Sequence, residues 1–323
     1  MARIVAVGSA LQDIYLIDHD DFVATKTIDS SVSKLGQIVV GTKVDIDRVS
    51  FEIGGGGTNA AVTFARHGHD SIYIGNIGHD PAGDAVIDVL NDEGVDTSYI
   101  NHVRSKTGVS VVLLDTKSGE RTILTCRGAS GKFNNLDSSD LDMIKPDWIY
   151  VSSLRGDMDT LLSFFEKAHE IGCKVMFNPG KLELDSDKKL KGLLEDVDIL
   201  LVNKTEASQI VPGTILEELL SHLSNYVPTA IITSGSMGGI ATDGKNTYRF
   251  GIYEDVPVKD TTGAGDGFGS GFLAHYAAGH SFKDSLIFAS ANSTAVVEKL
   301  GAKAGILYGD EELHPMPIQE IDL

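Results

Sequence analysis

Cysteine is scarce in this chain, with only Cys126 and Cys173 among 323 residues. Two thiols make neither a disulfide framework nor a zinc-ligand pattern, and that usage fits a reduced, cytoplasmic compartment. Basic side chains are outnumbered: 27 lysines and arginines stand against 46 acids, for a formal net charge of −19. Such a field repels a phosphate backbone and argues against a nucleic-acid partner, although Mg2+ and backbone N–H groups could still hold a nucleotide locally. Long apolar runs are missing as well. The N-terminal MARIVAVGSALQDIYL reaches Asp13 too soon for a secretory leader, and nothing elsewhere is long enough to span a bilayer. Three catalytic signatures are also absent. GGGGTNAA carries no Walker lysine, GSALQD after Val7 lacks the G-x-G-x-x-G of a dinucleotide-binding dehydrogenase, and His169-Glu-Ile-Gly-Cys173 lacks the second histidine of a zinc protease.

What is present is the composition of an ordinary globular protein, 42% hydrophobic and 23% charged. The length alone allows one large α/β domain or two smaller ones. Short apolar runs at Ile4–Val7, Ile72–Ile74, Trp148–Val151, Lys174–Phe177, Ile199–Val202 and Ala230–Ile232 read as buried strands. Between them lie helical patterns: Thr58–His67 closing on Gly68, Ala82–Asn91 on Gly94 and Leu161–Glu170 on Gly172. That alternation predicts an α/β fold with a mostly parallel sheet covered on both faces. Ile14–Phe51 and Thr107–Thr125 read as strands with no helix between them, the second as a hairpin turning at Thr116–Gly119. Together they predict a small β-sheet that covers a site. No repeat, low-complexity segment or linker divides the chain, and the acidic tail after Leu307 reads as surface.

The most specific stretch is Asp260-Thr-Thr-Gly-Ala-Gly-Asp266, at the start of a helix. Unpaired amides there, from Ala264, Gly265 and Asp266, make an anion hole, and a carboxylate beside it can take a proton from an alcohol. The helix dipole is expected to lower that carboxylate's pKa. An acid that only caps the helix would read the same way. Glycines 54–57, then Thr58 and Asn59, open another helix; they would let a backbone approach a ligand, or form a plain turn. Asp13 stands after the first strand, where parallel sheets bind ligands and an acid can bridge two hydroxyls. Asn203-Lys-Thr-Glu206 and Thr233-Ser-Gly-Ser-Met-Gly238 follow later strands, and each also reads as ordinary helix-start or turn chemistry.

Taken together and in this order, these motifs resemble the PfkB, or ribokinase-like, kinases over essentially the whole chain. The resemblance implies a single three-layer α/β/α domain over residues 1–323, with lid segments near 14–51 and 107–125, and an ATP-dependent sugar kinase. It makes Asp266 the base and Gly263, Ala264 and Gly265 the anion hole, with Asp13, Gly55 and Asn59 on the sugar. It puts Asn203, Thr233, Gly235 and Gly238 on the nucleotide, Asn292 and Gly301 by the adenine, and Glu206 on the water shell of Mg2+. The backbone around Asp260, Thr262 and Gly301 is then expected to hold a monovalent cation such as K+. A lysine that ribokinases carry in the glycine motif is replaced by Gly56. Arg155 falls where ribokinases have a sugar-binding Glu, and Arg127 resembles an arginine of ketodeoxygluconate kinases, so both are substrate candidates. Nucleoside kinase, acid-sugar kinase and a non-catalytic regulator on the same fold remain alternatives. The resemblance also implies a homodimer through the lid.

Overall fold

The computed structural model describes residues 1–17, 24–28, 31–35, 41, 43, 45, 46, 48–115, 120–254 and 256–322. All six apolar runs become neighbours in one ten-stranded sheet. Strands Ile100–Val103, Asp70–Gly78, Arg3–Val7, Trp148–Ser152, Lys174–Asn178, Ile199–Asn203 and Thr229–Thr233 run parallel in that order. Gly239–Thr242, Thr247–Phe250 and Ile318–Ile321 then extend the edge antiparallel. The tail expected to be plain surface therefore supplies an edge strand.

The six inner parallel strands carry apolar runs because both their faces are covered, whereas the edge strand Ile100–Val103 is only partly buried. Val5, Val7, Ile149 and Val151 point into one core, packed under the helix Met158–Glu170. Ile4, Ala6, Trp148 and Tyr150 point into the other, packed under the helices Gly56–Arg66, Ala264–Ala277 and Phe282–Val297. Gly68, Gly94 and Gly172 end their helices with φ of 73°, 77° and 73°, as their positions predict.

A second sheet has the order Arg48–Gly54, Leu11–Ile17, Gly108–Asp115, Glu120–Cys126. These are the two segments expected to form the lid, although the first begins earlier, at Leu11. Alternation splits this sheet into two faces. Tyr15, Ile17, Val112 and Leu114 form a small buried cluster, whereas Val49, Phe51 and Leu124 on the opposite face are 49%, 63% and 57% exposed. A hairpin of Ala24–Ile28 and Ser31–Leu35 precedes its outer strand. The Thr116–Gly119 turn lies outside the described residues.

Candidate active site

The carboxyl ends of the parallel strands and the inner face of the lid sheet converge on Asp266. The DTTGAGD stretch starts its helix at Ala264, and Gly263 caps it in the left-handed region at φ 79°, where a Cβ would collide with Ala302. Among the described residues the amides of Gly265 and Asp266 meet no protein acceptor, whereas Ala264 makes a long 3.4 Å bond to Thr261 O. The helix start therefore offers two free donors where the sequence suggested three. Asp266 Oδ2 accepts a 2.8 Å hydrogen bond from Asn59 Nδ2. Its other oxygen has no hydrogen-bond donor among the described residues and lies beside Gly56, where a Cβ would stand only 3.3 Å from it. Burial raises the Asp266 pKa, and Asn59 and then Lys303 only partly offset it. The expected lowering by the helix dipole is therefore not the outcome, because loss of hydration outweighs it.

The glycine run works by close approach. Gly55 sits at φ 103° with no space for a side chain against Ser9 O, and a Cβ on Gly54 would strike the Asp13 carboxylate. Asp13 lies within the lid strand Leu11–Ile17, is 6% exposed and points inward like Tyr15. Burial raises its pKa against the pull of Ser110, Lys303 and Arg127.

Asp260 is wholly buried and saturated. Thr262 N and Oγ1 donate to its Oδ1 at 2.9 and 2.6 Å, while Tyr15 OH and Gly301 N donate to Oδ2 at 2.8 and 3.4 Å. Arg121 reaches in from the lid, with Nε 3.6 Å from Asp260 Oδ1 and a hydrogen bond to Thr261 Oγ1. A monovalent cation beside this loop would meet that guanidinium, so the residues present fit K+ poorly. Gly301 belongs to this cluster.

Asn203 and Glu206 form a reciprocal cap, Asn203 N donating to Glu206 Oε2 at 2.9 Å and Glu206 N to Asn203 Oδ1 at 3.0 Å. This is the helix-start geometry that the sequence left open. Burial raises the Glu206 pKa. Its second oxygen suits a water of a nucleotide-borne Mg2+, which needs few protein ligands; among the described residues no group of three or more His, Cys, Asp or Glu could hold a metal directly. Thr233 ends the neighbouring strand, and Gly235 and Gly238 frame its turn at φ 54° and 73°. Asn292, expected by the adenine, is instead fully buried. Its Nδ2 donates to Gly267 O at 2.7 Å and its Oδ1 accepts from Leu307 N at 2.8 Å, so the amide ties two helices to the following loop.

Arg155 is a non-glycine residue at φ 59°. Its loop is pinned by the fully buried Glu183, which accepts from Ser153 Oγ at 2.9 Å and from Gly156 N at 2.8 Å. Burial and the Arg155 charge push the Arg127 pKa down, while Asp13 acts the other way. The two guanidinium groups thus lie within electrostatic reach of each other, Arg127 also of Asp13, and neither makes an ion pair among the described residues.

Sequence reasoning missed Lys303, Arg121, Tyr15 and Glu183. None sits in a motif. The one signal was a lysine in Gly-Ala-Lys-Ala-Gly, a small-residue loop that leaves room for a buried chain.

A model described as the pfkB family carbohydrate kinase matches residues 1–307. The ribokinase of Haemophilus influenzae is 30% identical over 275 residues, which cover 80% of this chain and 86% of that protein. The ribokinase of Lactococcus lactis is 27% identical over 311 residues, covering 95% and 94%. In fold, the chain is similar to Arabidopsis thaliana ribokinase complexed with ribose and ATP, with a TM-score of 0.78, 24% identity, and 95% and 96% of the two chains covered.

Proposed function

The chain belongs to the pfkB family of carbohydrate kinases, and from that premise we propose that it transfers the γ-phosphoryl group of ATP to a hydroxymethyl group of a small sugar held beneath the lid sheet. The observation that carries this reading is the meeting of Asp266, Asn59 and two unpaired helix amides at one point. A hydroxymethyl group between the free Asp266 oxygen and the amides of Gly265 and Asp266 would lose its proton to the carboxylate. Those amides would stabilise the transferring phosphoryl group. A raised pKa suits this task, since a more basic carboxylate takes a proton more readily. Asp13, Gly55 and Asn59 bind the sugar hydroxyls. Asn203, Thr233, Gly235 and Gly238 line the nucleotide edge, and Glu206 holds a water of Mg2+, which offsets phosphate charge when bound.

Arg127 and Arg155 favour a sugar carrying an anionic substituent, because a carboxylate or phosphate would relieve their mutual repulsion. Two copies of the chain pair through the exposed apolar face of the lid sheet. The test is ADP release by the purified protein across neutral sugars, nucleosides and acid or phosphorylated sugars, beside melting curves with ATP–Mg2+ and with NAD. A sugar-dependent release and an ATP-induced rise in Tm are expected. No release with any acceptor, or stabilisation by NAD alone, would overturn the reading.

A further inference from the structure

Lys303 is 8% exposed, and each of its three ammonium protons has a partner. Nζ donates to Ile53 O at 2.7 Å, to Thr58 Oγ1 at 2.8 Å and to Asn59 Oδ1 at 2.6 Å. The lysine absent at Gly56 is thus matched by an ammonium that reaches the same turn from a loop 244 residues beyond Asn59. An ammonium can only donate. The Asn59 atom facing it must therefore be oxygen, which turns the amide NH2 toward Asp266 Oδ2, 2.8 Å away. Without the ammonium the amide could rotate and present its oxygen to the carboxylate, which is repulsive.

We propose that Lys303 is a positioning residue for proton transfer: it fixes the Asn59 amide as a donor to Asp266 and supplies the buried positive charge that keeps the base ionised. The proposal rests on Asp266 being the base. The charged groups facing Lys303 are Asp13 from the lid strand, Asp266 from its helix, and Glu93 and Arg66 behind. The three carboxylates favour the ammonium and Arg66 opposes it; burial outweighs them all and brings the pKa down to about 7. Protonation of Lys303 and ionisation of Asp266 therefore support each other across Asn59.

Lys303→Met tests this through the pH dependence of kcat/KM. Turnover should fall by ~10²-fold and the acid limb should move up by about half a unit or more, since a nearby cation lowers a carboxylate's pKa. The rise in Tm with ATP–Mg2+ should persist. A folded variant whose limb stays in place while only the sugar KM rises would reduce Lys303 to a structural strut and overturn the proposal. Should Lys303→Met not fold, 15N NMR of the lysine side chains in Asp266→Asn gives the reciprocal measurement. The lysine titrating near neutrality should shift down by about half a unit, because coupling is mutual; an unchanged titration also overturns it. An active Asp266→Asn would instead remove the function assigned to Asp266, so the two failures can be told apart.

Discussion

Asn59 and Asp266 are 207 residues apart in the chain and share a 2.8 Å hydrogen bond. Each stands in the first turn of its own helix, Gly56–Arg66 and Ala264–Ala277. The two helices pack on the same face of the sheet and bring their N-termini to its carboxyl edge. The fold thus sets a donor, a carboxylate and two free amides around one point.

Asp266→Asn should keep the fold and the nucleotide-induced rise in Tm but lose kcat by at least ~10²-fold. In the wild type the burial-raised pKa should put the acid limb of kcat/KM above 3.8, the ordinary Asp value. Activity should fall as pH drops through that limb. A pure, folded variant with near-normal turnover would place the base elsewhere.

Glu206→Gln retains an oxygen for the cap to Asn203 but loses the charge. The Mg2+ concentration needed for half-maximal rate should rise by about threefold or more, with sugar affinity nearly unchanged. Superimposable Mg2+ titrations would take Glu206 out of the site.

Arg155→Ala should raise the substrate KM by about tenfold or more while leaving that of ATP within twofold, with the larger loss on an anionic sugar. Equal kinetics on every accepted substrate would exclude Arg155 from recognition and favour a neutral one.

The lid face bearing Val49, Phe51 and Leu124 should pair two chains. Replacing Phe51 and Leu124 together by Glu should convert a dimer to a monomer in light scattering. A wild-type monomer at tens of micromolar would reject the pairing.

Stability should fall with acid through His67 and His275, whose ring nitrogens Nε2 and Nδ1 are buried without hydrogen-bond partners among the described residues. Burial depresses their pKa values to about 3 and about 4, from 6.5. The unfolded chain then binds more protons below pH 6.5, so the stability present above that value is lost as pH falls toward 4. The loss is at most about 2 kcal/mol for His67 at pH 5, and smaller for His275, which solvent screens more. Urea unfolding of His67→Phe should show a shallower pH dependence than the wild type between pH 7 and 5. Parallel curves would show that His67 does not titrate in that range.

The six inner parallel strands were legible because each is covered on both faces and carries a continuous apolar run. Edge strands were not: Ile100–Val103 is written INHV, and Ile318–Ile321 is written IQEI, its two central residues exposed, in an acidic tail. Among site residues the motifs gave Asp266, Asn59 and Gly55, since free amides and close backbone approach need particular residues at fixed spacing. They did not distinguish a side chain that faces a ligand from one that serves the fold. Asn292 carries the same amide as Asn59, yet it binds backbone groups of Gly267 and Leu307, whereas Asn59 binds the side chains of Asp266 and Lys303.

The sequence by itself determined the order of strands and helices, the helix starts that expose amides, and the acid beside them, because these depend on neighbours a few residues away. Only the tertiary structure decided the electrostatics. Lys303 beneath Asn59, Arg121 against Asp260 and Arg155 near Arg127 come together across long stretches of chain. Their charges act through distance and burial, which local sequence does not encode.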